Sequence, residues 1–242
     1  MHLSTLRKEL AIAGGVGVLI ALIAQGMVIG APAMDKSPAE IQAWYVDHRA
    51  LALVAVYFAA FGLTLHLTLI AVLRDRLRGA EGGAATLSGI IFPATILWMG
   101  VVMIGLGSLG LLAYRASGIS AETARSLNDA AYLAFGAAGF GTALALGCVA
   151  WIVLRTGTFA AWYGWLSALV AVLHLAAAAA LATSGAATPQ NASLVALLYY
   201  AWVGVSIGVV ARRPLAAGEV LATLERPGLS TPQTLSGTHP AG

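Results

Sequence analysis

The sequence predicts an all-α, multi-pass transmembrane helix bundle, and three observations predict it. Asp, Glu, Lys and Arg are absent from 50–73, 82–114, 130–154 and 156–211, whereas a helix crosses the hydrocarbon core with about 20 predominantly apolar residues. Hydrophobic residues make up 60% of the 242 and charged ones only 10%, with a mean hydropathy of +0.86; soluble domains carry about 25% charged residues. The basic residues gather in the breaks between the apolar runs, so the net charge of +3 is read as topology rather than as an anionic partner.

Six spans are expected, near Leu10–Gly30, Ala50–Leu73, Leu87–Tyr114, Ala130–Leu154, Phe159–Thr183 and Leu194–Ala211, the last two divided by a polar turn from Ser184 to Asn191. The breaks alternate in charge. One set holds Arg7, Lys8, Arg74, Arg76, Arg78, Arg155, Arg212, Arg213 and Arg226; the other holds Lys36, Arg49, Arg115 and Arg125. The richer set is assigned to the cytoplasm, so both termini are expected inside a bacterial cytoplasmic (inner) membrane. Trp151, Trp162, Tyr163 and Trp165 then form an inner aromatic belt, and Trp44, Tyr45, Tyr114 and Tyr132 an outer one. The first run also fits a secretory signal, with Arg7-Lys8 ahead of it and Ala31-Pro32-Ala33 behind. Its apolar length of about 20 residues exceeds the roughly 7–15 of a signal core, so it is read as an uncleaved helix.

Short amphipathic helices are expected in two outer loops. Ser37-Pro38-Ala39-Glu40 has the form of a capping box with Pro at the first helical position. Ile41, Trp44, Tyr45 and His48 follow at helical spacing on one face. Ser120-Ala121-Glu122-Thr123 begins a similar segment, and Glu40 and Asp47 recur at the same spacing as Glu122 and Asp129, a weak hint of a repeated unit. Gly26 with Gly30, Gly204 with Gly208, and the stripe Gly139, Ala143, Gly147 are small-residue packing faces, within one chain or between copies. Residues 1–213 are thus the bundle, and 214–242, rich in Pro, Ser, Thr and Gly, a mostly disordered cytoplasmic tail, within which 218–226 has the length for one helical turn or two.

Chemistry-bearing residues are few. The lone Cys148 excludes a disulfide framework and pairwise thiolate ligation. Inside the spans the only ionisable groups are His66 and His174, and neither has an acidic partner. Thr64, His66 and His174, with the helix-kinking Pro93, make a possible intramembrane polar site. Asp47, His48, Arg49 and Asp129 make a possible outer-face site, against the simpler reading that they end helices in water. Haem held between the two histidines is disfavoured by depth: His66 lies about 12 Å and His174 about 22 Å from the inner edge at about 1.5 Å per residue. The run Arg74-Asp75-Arg76-Leu77-Arg78 is a topology signal that could also touch anionic lipid. Asn191-Ala192-Ser193 has the form of a glycosylation acceptor but abuts a span. No phosphate loop, HExxH, Gly-x-Ser-x-Gly or nucleic-acid signature occurs, so no catalytic residue, metal ligand, cofactor or nucleic-acid partner is expected.

The segment Leu154-Arg155-Thr156-Gly157-Thr158-Phe159-Ala160-Ala161-Trp162-Tyr163-Gly164-Trp165-Leu166, with the Arg-rich loop ending in Ala80-Glu81-Gly82-Gly83, resembles uncharacterised six-span membrane proteins of high-GC, actinobacterial-type bacteria. Ala160-Ala161 stand where those proteins carry Pro-Arg. The resemblance implies architecture and no catalytic residues. Three functions remain open: a structural, sensory or assembly-partner role, with the bilayer and a second copy or another membrane protein as partners; a small transporter of a lipophilic or weakly polar solute; and a membrane redox protein. The absence of charged intramembrane groups favours the first.

Overall fold

The computed structural model describes residues 3–179, 181 and 191–212. Every regular element among them is helical: α1 (Leu3–Met27), α2 (Pro38–Asp47), α3 (Arg49–Glu81), α4 (Thr86–Arg115), α5 (Ala121–Thr156), α6 (Ala161–Ala179) and α7 (Asn191–Arg212), with one 3₁₀ turn at Ala116–Gly118. Five of them, α1, α3, α4, α5 and α6, are long and apolar enough to cross a membrane. The sixth expected span falls on α7, whose apolar part, Val195–Ala211, is shorter. The expected polar turn before α7 and tail after it, with the possible helix at 218–226, lie outside the described residues apart from Asn191 itself. Asn191-Ala192-Ser193 opens α7.

The long helices form a ring in which α1 packs on α3, α3 on α4, α4 on α5, α5 on α6, α6 on α7, and α7 back on α1. Their outward faces carry large apolar side chains: Ile12, Ile23, Leu97, Ile104 and Val172 are all more than half exposed. Such faces suit a lipid solvent, since soluble monomers rarely expose large contiguous apolar patches. Trp151, Trp162 and Trp165 point outward as expected of a belt, but Tyr163 and Tyr45 are fully buried. Both tyrosines belong to the interior rather than to the predicted belts.

The closest helix pair is α1 with α3. A Cβ on Gly17 would clash with the Gly62 carbonyl oxygen, and one on Gly62 with the Gly17 carbonyl oxygen; one on Gly14 would come within 2.5 Å of the Leu69 Cβ. The glycines singled out from the sequence mostly do something else. Gly26, Gly30, Gly147, Gly204 and Gly208 face open space, and only Gly139 is in tight contact, beneath the His174 carbonyl.

The two loops expected outside also differ. At α2 the expected capping box forms, Ser37 Oγ accepting from the Glu40 N–H while the Glu40 carboxylate accepts from the Ser37 N–H at 2.9 Å. The Ser37 hydroxyl, which also donates to the Glu40 carboxylate at 2.7 Å, and then the Ser37 N–H hold the exposed Glu40 carboxyl below its usual range. The helix stops at His48, whose φ of −110° and ψ of 20° break the run. Its ring stacks on Trp44 at 4.6 Å, and its Nδ1 lies 2.9 Å from the Trp44 carbonyl oxygen, which the His48 N–H also reaches. At Ser120 nothing of this kind interrupts the chain. The cap accepts from the Thr123 N–H and α5 runs unbroken for 36 residues into its span, so the second separate loop helix and the repeat it implied do not form.

Gly82 and Gly83, at φ of 66° and 53°, turn the chain between α3 and α4. Glu81 then supplies the N-terminal cap that Ala85 lacks, its carboxylate accepting from the Leu87 and Ser88 N–H groups at 2.8 Å.

Candidate functional site: a mostly apolar cavity in the half of the bundle toward α2

The half of the ring toward the α3–α4 turn is filled by large side chains. Leu69, Leu73, Leu77, Ile91, Leu146, Ile152, Tyr163 and Trp202 are all fully buried. They enclose a hydrogen-bonded aromatic core: Trp202 Nε1 donates to Ser167 Oγ at 2.8 Å, and Ser167 Oγ donates to the Tyr163 carbonyl. Ser206 Oγ donates to the Trp202 carbonyl, so it accepts from the Tyr163 hydroxyl at 2.7 Å. Each of these polar atoms is therefore met inside a low-dielectric interior, where an unmet one is costly.

The half toward α2 is different because many of its facing residues are small. Ala21 and Ala24 of α1, Ala52, Ala55 and Ala59 of α3, Gly136 and Gly139 of α5 and Ala177 of α6 line a cavity of about 350 Å³. Trp98, His174 and Tyr200 form its floor, near mid-depth, and Gln25, Tyr45 and Tyr132 stand toward the outer end. At about 1.5 Å rise per residue, His174 lies on the order of 20 Å from the start of α6 and Gln25 on the order of 33 Å from the start of α1. Among the described residues, none that is charged lines the space. Val28, Ile29 and Ala31 at the end of α1, with Val195 and Ala196 of α7, make its rim, and Ile29 is 92% exposed.

The two buried histidines sit on either side of this boundary. His66 is fully buried and does not line the cavity; its Nε2 is 2.7 Å from the Tyr199 hydroxyl, and its Nδ1 has no partner among the described residues. His174 does line it, with Nδ1 2.9 Å from the Val170 carbonyl oxygen. Both rings meet Tyr199 edge to face, at 5.7 and 5.9 Å between centroids. Tyr199 thus links two residues that depth alone set apart. A void of about 10 Å³ remains between Thr95, Thr142 and Tyr199 on the side of this layer away from the cavity, too small for a ligand.

The expected intramembrane grouping is otherwise not assembled. Thr64 is exposed, its hydroxyl donating to the Ala60 carbonyl at 2.9 Å, and Pro93 is exposed on the outer face of a continuous α4. The expected outer-face group is likewise dispersed. Arg49 lies 5.2 Å above the Tyr114 ring, Asp129 pairs with Arg125 at 3.6 Å and His48 with Trp44, while Asp47 is exposed. Among the described residues, no three His, Cys, Asp or Glu side chains are placed to hold a metal ion.

The small-residue wall, Tyr199, Tyr200 and Gln25 were not singled out from the sequence. Their signal is the enrichment of Ala and Gly in the halves of α1, α3, α5 and α6 toward α2, which acquires meaning only once those faces are known to point at one another. No protein-family model, curated protein or solved structure matches the chain.

Proposed function

We propose that the protein is a six-span integral membrane protein, of the bacterial type it resembles, which holds a neutral lipophilic molecule within the outer half of its bundle. The observation that carries this reading is the cavity. Its volume of about 350 Å³ lies within the about 300–1,000 Å³ of small-molecule sites, and its lining is mostly apolar with a few polar groups, Gln25, His174 and three tyrosines. It opens at its rim, so a lipophilic molecule can enter it from the bilayer.

The topology in this reading has both termini in the cytoplasm, with α7 as the sixth span and α1 as a permanent one. It is supported by the distribution of basic residues between the breaks and by the buried face of α1 at Ala11, Ala21 and Ala24. Holding such a molecule serves a transporter of lipophilic solutes and a membrane-embedded sensor equally. A role as assembly partner is a second reading, favoured by Gly204 and Gly208, which face open space on α7. Haem between the histidines finds no support, since His66 does not face the space into which His174 opens.

The test is equilibrium dialysis of a radiolabelled neutral alkylbenzene against the protein in lipid nanodiscs. The wild type is expected to bind saturably at one site, and Ala55→Phe, which fills the cavity, to show only the partitioning seen with empty nanodiscs. Identical, non-saturable uptake by both proteins refutes the reading.

A further inference from the structure

We infer that the occupant of the cavity is a lipophilic alcohol or phenol whose hydroxyl donates a hydrogen bond to His174 Nε2; this rests on reading the cavity as a ligand site. The class follows from what the lining can and cannot satisfy. Among the described residues, no Lys, Arg, Asp or Glu lines the cavity. A carboxylate, phosphate or ammonium carried to the floor would lose its hydration with no counter-charge, so charged amphiphiles are rejected. The ligand is therefore neutral.

The floor then selects a hydrogen-bond donor. His174 is 8% exposed and directs its Nδ1 at the Val170 carbonyl oxygen. A carbonyl only accepts, so the ring proton sits on Nδ1 and Nε2 is left as an acceptor. Nε2 has no partner among the described residues, and the ring opens onto the cavity. Its position is imposed by the backbone. Gly139 lets α5 approach the His174 carbonyl so closely that a Cβ there would lie 2.7 Å from the oxygen, and Tyr199 closes the ring's other side. A rigidly held acceptor at the floor of an apolar chamber is met by the O–H of an alcohol or phenol; an ether or hydrocarbon of the same shape leaves it unmet.

The mouth carries a second acceptor: Gln25 Oε1 is buried with no partner among the described residues, beside Tyr45 and Tyr132, whose hydroxyl reaches the Pro32 carbonyl at 3.4 Å. An amide can turn to exchange its oxygen for its NH₂ group, whereas the His174 ring is held by Val170 and Tyr199. The fixed acceptor is therefore the one the ligand hydroxyl meets, with the apolar body between the alanines of α1 and α3.

The test compares 4-hexylphenol, its methyl ether 4-hexylanisole, and 4-hexylbenzoate at neutral pH. Binding to the full chain in nanodiscs is measured with partition into empty nanodiscs subtracted. The wild type is expected to bind the phenol about tenfold more tightly than the ether and not to bind the benzoate saturably. His174→Leu should bring the two neutral probes to within about twofold of each other, and His174→Gln, which keeps an acceptor, should retain part of the preference. Equal affinity of phenol and ether for the wild type overturns the inference, as does saturable benzoate binding or a preference that survives in His174→Leu. Should His174→Leu not fold, the wild-type ratio and His174→Gln decide. Saturable binding of neither neutral probe sinks the cavity reading itself, a different outcome from equal binding of both.

Discussion

Replacing Gly62 by Ala tests the tightest contact in the bundle. The new Cβ would clash with the Gly17 carbonyl oxygen and lie 2.8 Å from the Ala21 nitrogen and 3.2 Å from the Ala21 Cβ. Two of those atoms are backbone, so no rotamer change relieves the clash and α1 must withdraw by about 1 Å. A gap of about 0.5–1 Å forfeits a quarter to a half of each pair's dispersion energy of about 0.1–0.2 kcal/mol. Over roughly 30 atom pairs along this face the loss is about 1–3 kcal/mol, the range of overpacked cores. The helix-propensity gain of Ala over Gly, up to about 1 kcal/mol, offsets part of it. A net destabilisation of about 1–2 kcal/mol is expected. Gly204→Ala is the control, because Gly204 is exposed and a methyl group added there meets nothing within 4 Å; it should be neutral or stabilising by up to about 1 kcal/mol. The assay is reversible unfolding in mixed micelles by SDS titration, followed by Trp fluorescence. Equal stability of the two variants would refute the packing argument.

Three further outcomes follow from other contacts. Ala55→Phe should raise unfolding stability in the absence of ligand by filling apolar space, about 0.8 kcal/mol per buried CH₂, and a loss of more than about 1 kcal/mol in the same titration would mean the position is already filled. Tyr163→Phe should cost about 1 kcal/mol, and the double variant with Ser206→Ala should cost less than the sum of the two single ones; strict additivity would count against the 2.7 Å hydroxyl pair. In α2, Ser37→Ala should lower amide protection about fivefold to tenfold. Because the Ser37 bonds depress the Glu40 carboxyl below 4.5, their contribution is fully present above that pH and disappears as the pH falls through the lowered value. Protection that declines already between pH 7 and 5 would contradict the capping geometry.

Much of the fold was legible because it depends on local chemistry. The uncharged runs marked the long helices, Ser37 and Glu40 marked the cap of α2, and His174 was singled out as a rare ionisable group in an apolar helix. What was not legible depends on azimuth and on distant partners. His66 meets a tyrosine 133 residues away on α7, and spacing along α3 carries no information about it. Gly17 and Gly62 belong to no Gly-x-x-x-Gly pair, whereas Gly26 and Gly30 form one and face open space. Thr64 and Pro93 were grouped with His66 by their place along their helices, yet both turn to the outside of the ring. The boundary at His48 and the continuity at Ser120 followed the same distinction: two similar caps, of which only one is followed by a ring that competes for the preceding turn's carbonyl.

The most direct test of the cavity and its occupant is a structure of the protein with 11-bromoundecan-1-ol, located by the anomalous signal of bromine. The account predicts one bromine peak toward the rim formed by Ile29 and Ala196, with the hydroxyl oxygen about 2.8 Å from His174 Nε2. Bromine only on the outer lipid-facing surface, or side chains filling the space between α1, α3 and α6, would contradict it.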